Sequence, residues 1–97
     1  MGCQVIRSPR AIRDLSAIVR YISFDNPRAA EQFGYALIDA ALTLATLPER
    51  GRFVPEFSDG VTRDLLHGQY RIIYRFNREQ NAVWVSRFWH AARGSPQ

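Results

Sequence analysis

The alternation of apolar and polar positions is sharpest in the C-terminal half of the chain. Tyr70-Arg71-Ile72-Ile73-Tyr74-Arg75-Phe76 and Ala82-Val83-Trp84-Val85-Ser86-Arg87-Phe88-Trp89-His90 are rich in aromatic and β-branched residues. Such runs predict two strands, and the polar link 77–81 is short enough for a hairpin loop. A period of two in the first strand puts Arg71, Ile73 and Arg75 on one face, with Tyr70, Ile72, Tyr74 and Phe76 on the other. One face of the hairpin is then apolar and the other cationic, and the rest of the chain is expected to cover the apolar one. In the second strand both alternating sets mix apolar and polar residues, so its facing stays open. Trp84 and Trp89 are both expected in the core.

Upstream the spacing changes to three and four. Ser8-Pro9 reads as a cap followed by proline at the first helical position. Ala11, Ile12, Leu15, Ile18, Val19 and Ile22 then form one apolar stripe, predicting a helix over 9–23 with Arg10 and Asp14 on its exposed side. Asp25-Asn26-Pro27 repeats the cap-then-proline grammar. A second helix is expected to run to about Leu47, burying Ala30, Phe33, Leu37, Ala40, Ala41, Leu44 and Leu47. Ile38, Leu42 and Ala45 widen its apolar surface, which predicts a second contact with the sheet or with a partner. The short link makes the helices an antiparallel hairpin, closed by Leu47-Pro48 and Gly51.

Gln4 to Arg7 is a short strand candidate. Residues 52–60 read as an irregular segment anchored by Phe53, Val54 and Phe57, and residues 61–66 as a strand that turns at 67–69. The tail from Ala91 to Gln97 is expected to fray at its end. The pattern predicts a single α+β domain over residues 1–97: an N-terminal strand, an antiparallel helical hairpin, then a three-strand antiparallel meander, with the helices on one sheet face.

Composition narrows the class. With 97 residues, 46% of them hydrophobic, there is material for one core. No apolar run approaches the ~20 residues of a membrane span. The start lacks a secretory pattern, and a single cysteine, Cys3, fits a reducing compartment, so a soluble cytoplasmic protein without membrane association is expected. The net charge is +4, and all 13 Lys-plus-Arg positions are arginine. Guanidinium pairs well with phosphate or carboxylate, which suits RNA, DNA or an acidic protein. GC-rich codon usage accounts for the missing lysines equally well, but no lysine can act here as base, nucleophile or phosphate ligand.

Several chemistries drop out. The glycines form no phosphate loop, and Cys3, His67 and His90 lack metal-ligand spacing. Asp14, Glu31 and Asp39 are dispersed on helices facing solvent, so neither metal nor cofactor is expected. What remains is a cationic set of Arg63, Arg71, Arg75, Arg87, His90 and Arg93, with Tyr70 and Tyr74 close in sequence. A histidine beside guanidinium groups suits acid–base chemistry with charge stabilisation, and arginine beside aromatics suits RNA. The plainer alternative leaves Arg71 and Arg75 on the solvated side of a strand and His90 as a satisfied strand end.

The chain resembles toxins of the ParE/RelE superfamily of type II toxin–antitoxin modules across nearly its whole length. The resemblance is carried by Val5-Ile6-Arg7-Ser8-Pro9, Ala11, Asp14-Leu15, Asn26-Pro27 with Ala30 and Phe33, Leu47-Pro48 with Gly51, Arg63-Asp64-Leu65, Tyr70 to Arg75 and His90-Ala91-Ala92-Arg93. It implies the fold derived above and two divergent activities: RelE-like members cut mRNA in the ribosomal A site, whereas ParE-like members act on DNA gyrase. It matches Arg71 and Arg93 to nuclease arginines, with His90 as a partial substitute for absent lysines; these three are the catalytic set if the protein is a nuclease. The missing lysines, and the missing tyrosine after Arg93, turn the reading towards the ParE branch. The alternatives are a ribosome-dependent endoribonuclease and a non-toxic module that only binds antitoxin. The resemblance also implies a hetero-oligomer with a cognate antitoxin whose acidic C-terminal segment is partly disordered alone. Phe33, Leu37, Ile38, Ala41 and Leu44 are the expected antitoxin contacts on the second helix. Arg63, Tyr70, Tyr74, Arg75 and Arg87 are the expected contacts for target or antitoxin.

Overall fold

A computed structural model describes residues 2–94. The order is β1 (Gln4–Arg7), α1 (Pro9–Ser23), α2 (Pro27–Leu42), β2 (Arg52–Phe53), β3 (Thr62–His67), β4 (Tyr70–Asn77) and β5 (Ala82–His90), with 3-10 turns at Thr43–Ala45 and Ala91–Arg93. The expected fraying at 95–97 lies outside the described residues. Both helices start as their caps dictate. Ser8 Oγ accepts from the Ala11 N–H at 3.0 Å and Asn26 Oδ1 from the Ala29 N–H at 3.1 Å, each followed by proline. α2 stops short of Leu47. The Thr43 hydroxyl donates to the Ala40 carbonyl at 2.6 Å, and the chain tightens into a 3-10 turn that still buries Leu44 but leaves Leu47 exposed.

The described strands form one five-stranded sheet in the order β1-β5-β4-β3-β2, in which β1 runs parallel to β5 and the other pairs are antiparallel. β2, expected to be irregular, pairs Arg52 with Asp64 and Phe53 with Arg63. The mixed alternation of β5 has a physical cause. The register shifts between Ile73 and Tyr74, so that Ser86 is an extra residue whose Oγ donates to the Ile73 carbonyl at 3.1 Å. Inward facing therefore runs Val83, Val85, Phe88 instead of every second residue, and these three enter the core. Trp89 is buried, whereas Trp84, expected inside, is 44% exposed.

The core lies between the helices and the sheet, built from Ala11, Leu37, Ala41, Leu44, Ile72, Tyr74, Val83, Val85 and Phe88. Burying one such large side chain stabilises by roughly 1.5–3 kcal/mol. The helices meet at Gly34, where an added Cβ would stand 2.8 Å from Val19 Cγ2. Two expectations change here. Leu37, Ala41 and Leu44 are fully buried and offer a partner no surface, because this stripe of α2 and its 3-10 extension packs into the core, whereas Leu42 stays exposed. Tyr74 is likewise a core residue: its hydroxyl accepts from the Gly51 N–H and donates to the Pro48 carbonyl, both at 2.8 Å. Burial pushes its phenol pKa up.

Candidate functional site

The sheet face turned away from the helices was expected to be solvated and cationic. Thr62 and Asp64 of β3 stand there beside Arg71, Ile73 and Arg75 of β4, and residues 54–61 close over them as a strap. The Asp64 carboxylate is wholly buried and accepts from Arg71 Nε at 2.6 Å and Arg52 Nε at 2.9 Å. Arg71 Nη1 donates to Glu56 of the strap at 3.0 Å. Arg71 is consequently only 6% exposed, and its Nη2 is buried without a partner among the described residues. The hydrogen bond from Arg71 holds the Glu56 carboxyl below the usual range.

Arg75 is exposed, with Nε on Thr62 Oγ1 at 3.2 Å and Nη2 on Asp59 at 3.3 Å. Asp59 is lowered to about 2 by the Thr62 hydroxyl first, then by the Thr62 and Val61 N–H groups, with Arg75 adding charge. This face is therefore an ion-pair layer in which the side chains of Arg52 and Arg75 stay exposed while Arg71 does not.

The other cations are distributed elsewhere. Arg63 lies on the helix side opposite Tyr74 and donates to the Gly51 carbonyl at 2.7 Å and that of Glu49 at 3.1 Å, with its guanidinium 4.0 Å from the Phe53 ring centre. That is a loop-holding role. Arg87 makes a two-armed pair with Asp14, Nε to Oδ2 at 2.7 Å and Nη2 to Oδ1 at 2.9 Å, and Phe88 N–H adds a bond at 3.2 Å. Asp14, expected to face solvent, thus ties α1 to β5 and raises the Arg87 pKa. Trp89 touches two guanidinium groups, Arg87 at 4.7 Å and Arg93 at 4.3 Å, and its Nε1 donates to the Gly94 carbonyl at 2.9 Å.

A cleft of about 690 Å³ opens between α1, the first half of α2 and the ends of β4 and β5. Asp14, Tyr21, Phe33, Tyr70, His90 and Arg93 are among the residues that line it. The Tyr70 ring meets Phe33 at 5.4 Å and His90 edge-on at 4.9 Å. Burial, then the Tyr21 phenol, raises the Tyr70 pKa. His90 Nδ1 accepts from the Ala92 N–H at 3.0 Å, so the neutral ring carries its proton on Nε2.

The structure brings His90 and Arg93 together at one cleft and places Arg71 on the sheet face opposite His90. Strand parity explains this: Tyr70 pairs with His90 and Arg71 with Trp89, adjacent positions on opposite faces. Sequence reasoning missed Asp64, Glu56 and Tyr21. Parity along β3 could have found Asp64, which shares a face with Arg71; the reach of Glu56 left no periodic signal. Among the described residues no cluster of His, Cys, Asp and Glu is placed to hold a metal ion, and no helix is long and apolar enough to cross a membrane.

Comparisons with known proteins agree over nearly the whole described chain. A family model described as the ParE toxin of type II toxin–antitoxin system, parDE, matches residues 5–94. Toxin RelE1 of Caulobacter vibrioides is 33% identical over 91 residues, covering 93% of this chain and 95% of the relative. Toxin RelE2 of the same organism is 37% identical over 90 residues, covering 93% and 97%. Among solved structures, the toxin–antitoxin complex RelBE2 from Mycobacterium tuberculosis superposes with a TM-score of 0.70 at 26% identity, over 93% of this chain and 99% of that one. The chromosomal ParDE system from P. aeruginosa shares the fold, with a TM-score of 0.75 at 17% identity over 92% and 96%.

Proposed function

The chain belongs to the family of ParE toxins of type II toxin–antitoxin systems, and from that premise we propose that it is a growth-inhibiting toxin that acts by binding DNA gyrase and is neutralised by a cognate antitoxin. The observation that carries the choice of a binding poison over a nuclease is the state of Arg71. Its guanidinium is buried, neutralised by Asp64 and Glu56, and separated from His90 by the sheet. A cation committed in this way has little left to stabilise charge developing on a phosphate. Arg75 and Tyr70 remain reachable for a target, whereas Tyr74 does not. Purified toxin is expected to inhibit supercoiling by gyrase and to leave ribosome-bound mRNA intact. Cleavage in the A site with unaffected supercoiling would overturn the reading.

The second reading, a ribosome-dependent endoribonuclease, is favoured by one observation: His90 and Arg93 share a cleft with Tyr70. The same pair of assays decides it. Unimpaired growth after induction without antitoxin would leave a module that only binds antitoxin.

For the antitoxin, the fitting surface is the outer groove between the helices, about 430 Å³, lined by Leu15, Val19, Tyr35 and Ile38 together with Arg20 and Glu31. The apolar face of an amphipathic helix suits it, with a carboxylate placed on the Arg20 side. Of the second-helix residues expected to make contact, Ile38 and Phe33 keep accessible surface. Ile38→Asp is expected to weaken antitoxin binding while the circular dichroism spectrum stays unchanged; equal affinity would exclude this groove.

A further inference from the structure

We propose that the outer face of the helical hairpin binds a second copy of this chain, so that the free protein forms a two-fold dimer of four helices with antiparallel neighbours. This goes beyond the proposed function, because it involves neither target nor antitoxin, although it draws on the groove assigned above to the antitoxin.

The charges of this face are sorted by helix. α1 presents Arg13 and Arg20, and α2 presents Glu31 and Asp39. All four are exposed, and none has an ion-pair partner among the described residues. The close approach of Gly34 to Val19 sets the register of the hairpin. With equal rise per residue along two antiparallel helices, Arg20 then stands level with Glu31 and Arg13 with Asp39. Arg20 and Glu31 indeed line one groove.

A two-fold axis running along the helices lays α1 of one copy over α2 of the other. Each contact is then made twice: Arg20 meets Glu31 of the second copy, and Arg13 meets its Asp39. Arg28, also exposed on α2, falls level with the exposed Phe24, whose ring face accepts a cation. A partner of uniform charge would be repelled by half of this set. A second copy matches both signs at once.

The apolar positions obey the same register. Ile12, Tyr35 and Leu42 are 49%, 62% and 51% exposed. In the two-fold arrangement Ile12 meets Leu42 of the second copy. The Tyr35 ring lies over Ser16, a small residue that lines the groove. Large side chains set against small ones let facing helices interdigitate, and two antiparallel hairpins packed in this way make a four-helix bundle.

The test is sedimentation equilibrium of the full-length chain, from micromolar to hundreds of micromolar protein. A monomer–dimer equilibrium with a micromolar Kd is expected. Arg13→Glu with Arg20→Glu turns all four matched positions acidic, and Glu31→Arg with Asp39→Arg turns all four basic. Each double variant alone is expected to lose at least about tenfold in dimer affinity. An equimolar mixture of the two is expected to regain the parent affinity as a heterodimer. All four positions are exposed, so both variants should keep the parent circular dichroism spectrum. Mixing does not cure a misfolded chain, so the recovery reads the interface alone. Monomer at every concentration, a dimer of parent affinity in either variant, or a mixture no tighter than its components would each overturn the proposal. No antitoxin, ribosome or gyrase is present, so failure here is separate from failure of either functional reading.

Discussion

The two faces of the sheet are closed by opposite physics. Towards the helices, Leu37, Leu44, Ile72, Val83 and Phe88 exclude water with no charge among them. Towards the strap, Asp64, Arg71, Glu56, Asp59 and Arg75 are locked by ion pairs, with Val54 as the strap's buried apolar anchor. Apolar burial contributes about 25 cal/mol per Å² without regard to direction. A buried ion pair gains Coulomb energy but gives much of it back in desolvation. The helix side therefore supplies stability, and the strap side supplies a defined arrangement that fails when one partner is lost.

The largest expected effect breaks the ion-pair layer. Asp64→Ala leaves the buried Arg71 guanidinium without its closest partner, and removing one half of a buried pair costs roughly 3–5 kcal/mol. The paired change Asp64→Leu with Arg71→Met is expected to recover most of that loss. Denaturant unfolding of the two variants checks both values; equal destabilisation would mean that volume, not charge, governs this face. On the helix side, Leu37→Ala is expected to cost about 2–5 kcal/mol through the cavity it opens, independently of salt. A smaller loss is expected for Tyr74→Phe. It strips partners from the Gly51 N–H and the Pro48 carbonyl, at a cost of about 1–3 kcal/mol by thermal denaturation.

The sequence made the apolar face far more legible than the charged one. Local spacing and caps announce both helices, and the period of two announces β4, because an element facing one core repeats its apolar residues at the element's own period. The same parity hid the site. It correctly set Arg71 and Arg75 together on the face away from the helices, yet exposure of that face depended on the strap, whose Glu56 arrives from a non-periodic segment. β5 stayed ambiguous because one extra residue, Ser86, switches its facing partway along. His90 and Arg93 read as companions of Arg71 because all three are basic and the resemblance matches them to nuclease positions. Adjacent strand positions oppose each other, and that parity alone parts His90 from Arg71.

The mildest prediction separates the two faces by acid. Asp59 has a folded pKa of about 2 against an ordinary 3.8, and Glu56 is also lowered, from 4.5. A depressed carboxylate stabilises the fold fully above its unfolded pKa and loses that contribution as pH falls through the folded value. The strap should therefore loosen between about pH 4 and pH 2, while the helix side, which has no carboxylate in its core, stays packed. Amide signals of Val61 and Thr62, whose N–H groups both donate to Asp59, should shift in that window before those of Ile72 and Val83. Asp59→Asn should remove the Asp59 share of the step and leave only what Glu56 contributes, because a neutral side chain cannot titrate there. If strap and core signals move together, the layers are one cooperative unit, and the ion pairs on one face are bound up with the packing on the other.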